Sequence, residues 1–166
     1  MSLIKSLMLA FICVLAGTAV AETAKVNITW SNPDDYKDIQ KSAGESEQTF
    51  RERIASNIQA HMDKLAEGIP EDSTLEMNVT NLTLAGSVRT NGAAGSYQDV
   101  KVVEDGYRAR MSFSYQLLDA SGQAVKRGED NLKSSMSGGS ISRTAENEPF
   151  EIEKKMLTRW FKNTFK

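Results

Sequence analysis

One segment in the second half of the chain, Tyr107 to Leu118, alternates between aromatic or aliphatic side chains and polar ones. Its apolar set includes Met111 and Phe113, and its polar set includes arginines, serines and a glutamine. A period of two residues is that of a β-strand with one face buried and the other in water. The segment therefore requires a sheet that is covered on one side, and the rest of the chain has to supply that cover.

Two segments with a helical period can provide it. Between Glu47 and Glu67, apolar residues recur every three or four positions, and Ser46 precedes them as a helix cap. A second helix is predicted to begin near Glu148, and its apolar face comprises Phe150, Met156, Leu157, Trp160, Phe161 and Thr164. Each predicted helix has a single apolar stripe, so each is expected to pack on a sheet.

The remaining strands are predicted at residues 26–30, 75–84, 100–103 and 124–132. The element order is then β-α-β-β-β-β-α. This order predicts an α+β fold, a mostly antiparallel sheet of about five strands with two helices packed on one face.

Three local features refine this prediction. In the second strand the apolar phase slips by one residue, which indicates a β-bulge near Thr80 or Asn81. Asp105-Gly106 predicts a hairpin turn into the strand that begins at Tyr107. The small, polar stretches Gly86 to Ser96 and Ser134 to Glu146 are predicted to be loops.

The first 21 residues have the pattern of a secretory leader. Lys5 precedes an apolar run from Leu7 to Ala16, and Ala19-Val20-Ala21 provides a cleavage site. A membrane-spanning helix needs about 20 apolar residues, more than this run has. We therefore expect cleavage after Ala21, an exported, soluble product with no transmembrane anchor, and a single domain over residues 22–166.

The expected product has no thiol and a slightly acidic charge. Cys13 is the only cysteine and lies inside the leader, after the bulky Phe11 and Ile12 rather than the small residues of a lipid-anchor site. Disulfides, thiolate nucleophiles and cysteine zinc sites are thus excluded from the mature domain. The leader contains one basic residue and no acidic one, so 19 basic side chains face 22 acidic ones and the net charge is about −3. A basic excess typical of nucleic-acid binding is absent.

A group of carboxylates surrounds Tyr36 in the sequence. Asp34, Asp35 and Asp38 are oxygen ligands of the kind that can hold a hard cation. Their spacing fits no calcium loop, and no glycine lies between them. The favoured interpretation is a solvated turn that opens a short helix at Pro33, with no metal and no cofactor.

Glu153 and His61 are the candidate catalytic residues. Glu153 falls on the apolar face of the last helix, where a carboxyl group needs a cation or backbone donors as partners. His61 is the only histidine and faces the apolar stripe of the first helix. A second such carboxylate and a Gly-x-Ser-x-Gly motif are both missing, so structural roles are preferred for both residues.

Arg108 and Arg110 lie on the polar side of the alternating strand, with Lys101 expected nearby. Two arginines about 7 Å apart on one strand face can bind a carboxylate or a phosphate between them. The alternative, which we prefer, is an ordinary solvent face. The partner that such a pair would bind is a small anionic ligand.

Three short blocks resemble a bacterial family of unknown function, domain-of-unknown-function family 3016: Trp30-x-x-Pro33-x-x-Tyr36-x-Asp38-Ile39, Leu84-Ala85-Gly86 and Glu153-Lys154-x-x-Leu157-x-x-Trp160-Phe161. The resemblance covers the whole mature chain and implies an envelope protein of a Gram-negative bacterium, located in the periplasm. It implies no activity. The chain has Asn81 and Thr83 where members of the family often carry acidic residues.

These observations favour a non-catalytic binding or accessory module of the cell envelope that uses the open sheet face or the exposed loops. Its expected partner is another envelope protein or a small anionic ligand. Its candidate binding or structural polar residues are Tyr36, Asp38, Arg108, Arg110 and Glu153. The alternative is a small hydrolase or transferase built on Glu153, His61 and an aspartate of the 34–38 group. A cation-binding protein that uses these aspartates is a third hypothesis.

Overall fold

The computed structural model of the chain describes residues 23–36, 46–85, 87–93, 96–102, 108–134 and 150–166. For 87–93 and 96–102 the description concerns the backbone. The predicted leader, Asp38, the Asp105-Gly106 turn and residues 135–146 of the second predicted loop lie outside these ranges.

The described ranges form two helices and six strands, joined after the first strand by a short 3₁₀ helix at Pro33–Asp35. The elements are β1 (Lys25–Trp30), α1 (Glu47–Ala66), β2 (Thr74–Thr83), β3 (Ser87–Ala93), β4 (Ser96–Val102), β5 (Arg110–Leu118), β6 (Ala124–Lys133) and α2 (Glu151–Phe165). The main sheet has the order β1-β2-β5-β6, and β3 and β4 form a separate two-stranded sheet. The predicted α+β class is confirmed.

Strand pairing differs from the prediction in two respects. The main sheet has four strands and is mixed, because β1 runs parallel to β2 whereas β2-β5 and β5-β6 are antiparallel. The stretch from Gly86 to Ser96 was predicted to be a loop but contains β3, and β4 pairs with β3 rather than with β5. Side-chain alternation shows that a segment is a strand, but it does not show which strand pairs with it. The many small, polar residues of β3 also give little sign of a strand.

Both helices cover the same face of the main sheet. The side chains on this face alternate along β2 and β5, and Leu75, Val79 and Met111 among them are fully buried. The helices contribute the other half of the core, chiefly Phe50, Ile54, Ile58, Met62, Leu157, Trp160 and Phe161. The opposite face of the sheet is polar, and neither described helix packs on it.

The predicted bulge in β2 is confirmed. The register between β2 and β5 shifts between Val79 and Asn81, so Thr80 has no partner position on β5. The Thr80 hydroxyl donates to the Ser112 carbonyl at 3.2 Å. Because one residue is extra, Leu82 returns to the buried face despite the slip in phase.

The two helix starts have different causes. In α1 the Ser46 hydroxyl accepts a hydrogen bond from the Thr49 N–H at 3.0 Å, as expected for the predicted cap. In α2 the helix starts at Glu151, about three residues later than predicted, because Phe150 is in the left-handed region with φ 61°. Its buried ring packs on Phe50 with centroids 6.3 Å apart, and this packing compensates the unfavourable backbone.

Candidate functional site

The face of the main sheet opposite to the two helices is an ordered polar surface, which we call the open face. Strand pairing arranges its residues in cross-strand rows. Gln116 donates to Glu76 at 2.6 Å, and the Asn78 side-chain oxygen accepts from the Ser31 hydroxyl at 2.8 Å. The rows are Asn27-Glu76-Gln116-Arg127, Thr29-Asn78-Ser114-Glu129, Asn81-Ser112-Asn131 and Thr83-Arg110-Lys133.

Positive charge collects at one corner of the open face. Arg110 stands directly opposite Lys133 in the β5-β6 register, and Arg108 precedes it by two residues. All three side chains are exposed, and we call them the basic corner. Among the described residues none of them forms an ion pair. Like charges directly opposite one another in a sheet repel, so an anion at this corner would relieve the repulsion.

Glu153 lies away from this face, in the core. It is fully buried, and its Oε1 accepts a hydrogen bond from the backbone N–H of Ala85 at 2.7 Å. The other oxygen, Oε2, has no hydrogen-bond partner among the described residues. Glu153 is the third residue of α2, where the helix dipole favours a carboxyl group. Its contact joins the start of α2 to the chain leaving β2.

His61 joins the two helices rather than forming a site with Glu153. Its Nε2 lies 3.0 Å from the Lys154 carbonyl and 2.8 Å from the Thr158 hydroxyl, both on α2. The hydrogen bonds of His61 and Glu153 thus lead to different partners. The same segment of α2 is anchored by the Lys154 ammonium group, which donates to Asn57 of α1 at 3.3 Å.

Tyr36 and the nearby aspartates have separate environments. Tyr36 is buried, and its hydroxyl lies 2.8 Å from the Ser31 carbonyl and 2.9 Å from that of Val79. Burial raises the pKa of Tyr36 above its ordinary value. Asp34 is exposed and pairs with Arg51 of α1. In the parts of the chain that the structure describes, no group of three or more histidine, aspartate or glutamate residues could hold a metal ion.

One polar contact of the core, between Trp160 and Asp130, was not predicted from the sequence. The indole N–H of Trp160 donates to Asp130 of β6 at 2.7 Å, and the Trp160 ring meets Phe113 edge-on at 4.8 Å. A signal was present, because Asp130 has the same phase in β6 as Leu132, which packs against the core. The contact fixes α2 over β5 and β6, so the helix stays on the face opposite to the basic corner.

The fold and this geometry define a class, an α+β domain with two helices on one face of a mixed sheet and a polar surface on the other face. The sequence profile of DUF3016, described as a protein of unknown function, matches residues 24–163. The chain belongs to this family, and the resemblance read from its three blocks is confirmed.

Comparison with other proteins adds no activity. The structure is similar to that of a hypothetical protein from Chlamydia trachomatis, with 8% identity and a TM-score of 0.36, over 87% of this chain and 94% of that one. It is also similar to a minor lipoprotein from Acinetobacter baumannii, with 8% identity and a TM-score of 0.28, over 84% of this chain and 85% of that one. No curated protein matches the chain. Neither described helix is long and apolar enough to cross a membrane.

Proposed function

We propose that this chain is an exported, non-catalytic binding module of the bacterial cell envelope, which acts in the periplasm through the open face of its sheet. The observation that carries the proposal is that both described helices pack on the other face of the sheet, while the side chains of this face are already ordered by cross-strand hydrogen bonds such as Gln116 to Glu76. An ordered polar surface can bind a partner with little loss of side-chain entropy.

The basic corner indicates the chemistry of the partner. Arg110 and Lys133 stand opposite each other in a cross-strand row that contains no acidic residue, while the chain as a whole carries a net charge of −2. An acidic surface of another envelope protein would neutralise this corner. A small ligand with a carboxylate or phosphate group would meet the same chemistry. Complementary charge of this kind selects the partner and its orientation.

The positions of Glu153 and His61 argue against the hydrolase alternative. A general acid or base has to come within hydrogen-bond reach of its substrate. The Glu153 side chain is fully buried, and its Oε1 is occupied by the Ala85 N–H. His61 Nε2 is held between Lys154 and Thr158 of α2. Both side chains therefore support helix packing rather than a catalytic centre.

The proposal can be tested by photo-crosslinking in intact cells. A photo-reactive residue at Thr83, beside Arg110 on the open face, should capture a partner in the periplasm. The same residue at Lys155, an exposed position of α2, should not capture it. Adding Arg110→Glu to the Thr83 variant should abolish the capture, because the charge at the basic corner is then reduced.

Equal capture from Thr83 and Lys155, or capture that survives Arg110→Glu, would contradict the role of the open face. The intact mass of the periplasmic protein tests the export step separately. It should correspond to a chain that begins at Glu22 and carries no lipid. A retained leader would disprove the proposed processing.

A further inference from the structure

The main sheet has two edge strands, and they are not equally protected. At β1, the Gln59 side chain of α1 donates to the outer strand's Val26 carbonyl at 2.9 Å. At the other edge, β6 pairs with β5 alone among the described residues. Over its ten residues β6 exposes most of its side chains, including Val125 at 59%. An edge of this length offers a row of backbone donors and acceptors to a further strand.

The ladder shows which backbone groups of β6 face outward. The Ser134 N–H donates to the Ala109 carbonyl at 2.9 Å, so this pair is a hydrogen-bonded one. Hydrogen-bonded and non-bonded pairs alternate in an antiparallel ladder, and the β5-β6 register is regular from Arg110 to Leu117. Arg127 and Glu129 are then in non-bonded pairs, and their N–H and C=O groups point away from β5.

The charges along this edge change sign around one residue. Lys126 and Arg127 precede Gly128, and Glu129 and Asp130 follow it. We propose that a second copy of this chain pairs with β6 through its own β6, antiparallel, with the Gly128 residues at the two-fold axis. The pairing extends the main sheet across both copies.

This register is selected by electrostatics. With Gly128 at the axis, Arg127 stands opposite Glu129 of the second copy, and the same pair recurs by symmetry. Antiparallel pairing through this edge sets outward-facing residues of the two copies opposite one another. Neighbouring registers therefore move the two-fold axis from one residue of β6 to the next. Moving the axis to Glu129 or to Arg127 places like charges directly opposite, which is unfavourable.

Arg127 and Glu129 are available for these pairs. Both are exposed, and neither forms an ion pair within the described residues. By contrast, Asp130 accepts from Trp160, and Lys126 donates to the Thr164 carbonyl, so both serve the packing of α2. Charged residues commonly protect an edge strand from pairing. Here the same charges oppose pairing out of register and favour the symmetric one.

The test uses charge reversal and sedimentation velocity on the purified protein at low salt. The wild type should form a dimer that dissociates as salt rises. Arg127→Glu alone and Glu129→Arg alone should each be monomeric, because each places like charges across the axis. Mixing the two variants should restore a dimer, because each of the two contacts across the axis then joins one acidic and one basic side chain. Lys133→Glu, the same charge reversal on the same strand outside the charge pairs, should remain dimeric.

A wild type that stays monomeric, or single variants that remain dimeric, would overturn the proposal, as would failure of the mixed variants to associate. Association of the mixed variants also shows that both are folded, since an unfolded chain has no β6 to pair. Loss of the dimer in a single variant can then not be ascribed to unfolding. The outcome is also separate from the proposed function, because the dimer depends on Arg127 and Glu129 whereas partner capture depends on Arg110.

Discussion

At the residue scale, Glu153 shows how a polar group can belong to a core. A carboxyl group without partners in an apolar environment is costly, and Glu153 is fully buried. The Ala85 N–H, 68 positions away in sequence, gives Oε1 a donor at 2.7 Å. Ala85 follows the end of β2 and pairs with no strand among the described residues, so this hydrogen bond satisfies both the buried backbone N–H and the buried carboxyl oxygen.

The contribution of this hydrogen bond can be measured with two substitutions of similar volume. Glu153→Gln keeps an oxygen that can accept from Ala85, whereas Glu153→Met leaves the buried N–H without an acceptor. An unsatisfied buried donor typically costs about 1–3 kcal/mol. We expect the Met variant to be less stable than the Gln variant by about this amount in urea unfolding at neutral pH. Equal stability of the two variants would show that the Ala85 contact contributes nothing.

At the scale of the element, β6 combines an exposed edge with a tightly packed inner side. Gly128 lies opposite Tyr115 in the register, and the Tyr115 ring covers the glycine backbone. The ring also meets Trp160 edge-on at 5.2 Å. Gly128 has no side chain to pack on the core, and the Tyr115 ring of the neighbouring strand fills this space.

This arrangement leaves no room for a methyl group at Gly128. A Cβ there would lie 2.9 Å from the Tyr115 hydroxyl oxygen and 3.0 Å from two ring carbons. Displacing the ring disturbs Trp160 as well, so Gly128→Ala should destabilise the protein by about 1–3 kcal/mol, the usual cost of overpacking. The control is Asn131→Ala, on the same strand but exposed, where we expect a change within about 0.5 kcal/mol. Thermal melts compare the stability of the two variants. A Gly128→Ala protein as stable as the control would show that the Tyr115 ring can move aside without cost.

At the scale of the whole molecule, two tyrosines link stability to alkaline pH. Burial raises the pKa of Tyr36, and burial followed by the charge of Asp130 raises that of Tyr115, both from an ordinary value of 10.0. The folded state therefore keeps these protons to a higher pH than the unfolded state does. Their stabilising contribution is complete below the unfolded pKa and is lost as the pH rises through the folded pKa.

We expect the free energy of unfolding to fall as the pH is raised past 10.0, and to fall less steeply in a Tyr36→Phe, Tyr115→Phe double variant. The variant loses the Tyr36 hydrogen bonds and will be less stable at neutral pH, so the slope is the quantity to compare rather than the absolute value. Urea unfolding over a series of alkaline buffers provides it. Identical slopes for the two proteins would refute the assignment to these tyrosines.

Properties that depend on residues close together in the chain can be predicted from their pattern. Four such features were predicted: the alternation in β5, the apolar stripe of α1, the Ser46 cap and the bulge at Thr80. Each depends only on residues a few positions apart in the sequence. The class of the fold followed, since the order of such segments restricts how they can form layers. Of the candidate residues, Arg110 was placed on the solvent face by the same alternation.

Which segments pair with each other depends on packing between distant parts of the chain. Three contacts join segments whose local patterns do not show which segment is their partner. They are the parallel pairing of β1 with β2, the β3-β4 hairpin and the contact between Ala85 and Glu153. Backbone hydrogen bonds are chemically alike at nearly every residue, so they leave little trace of their partners in the sequence. Burial of the apolar side chains in one core selects among the possible pairings. That selection placed both described helices on one face of the sheet and left β6, among the described residues, with β5 as its only strand partner.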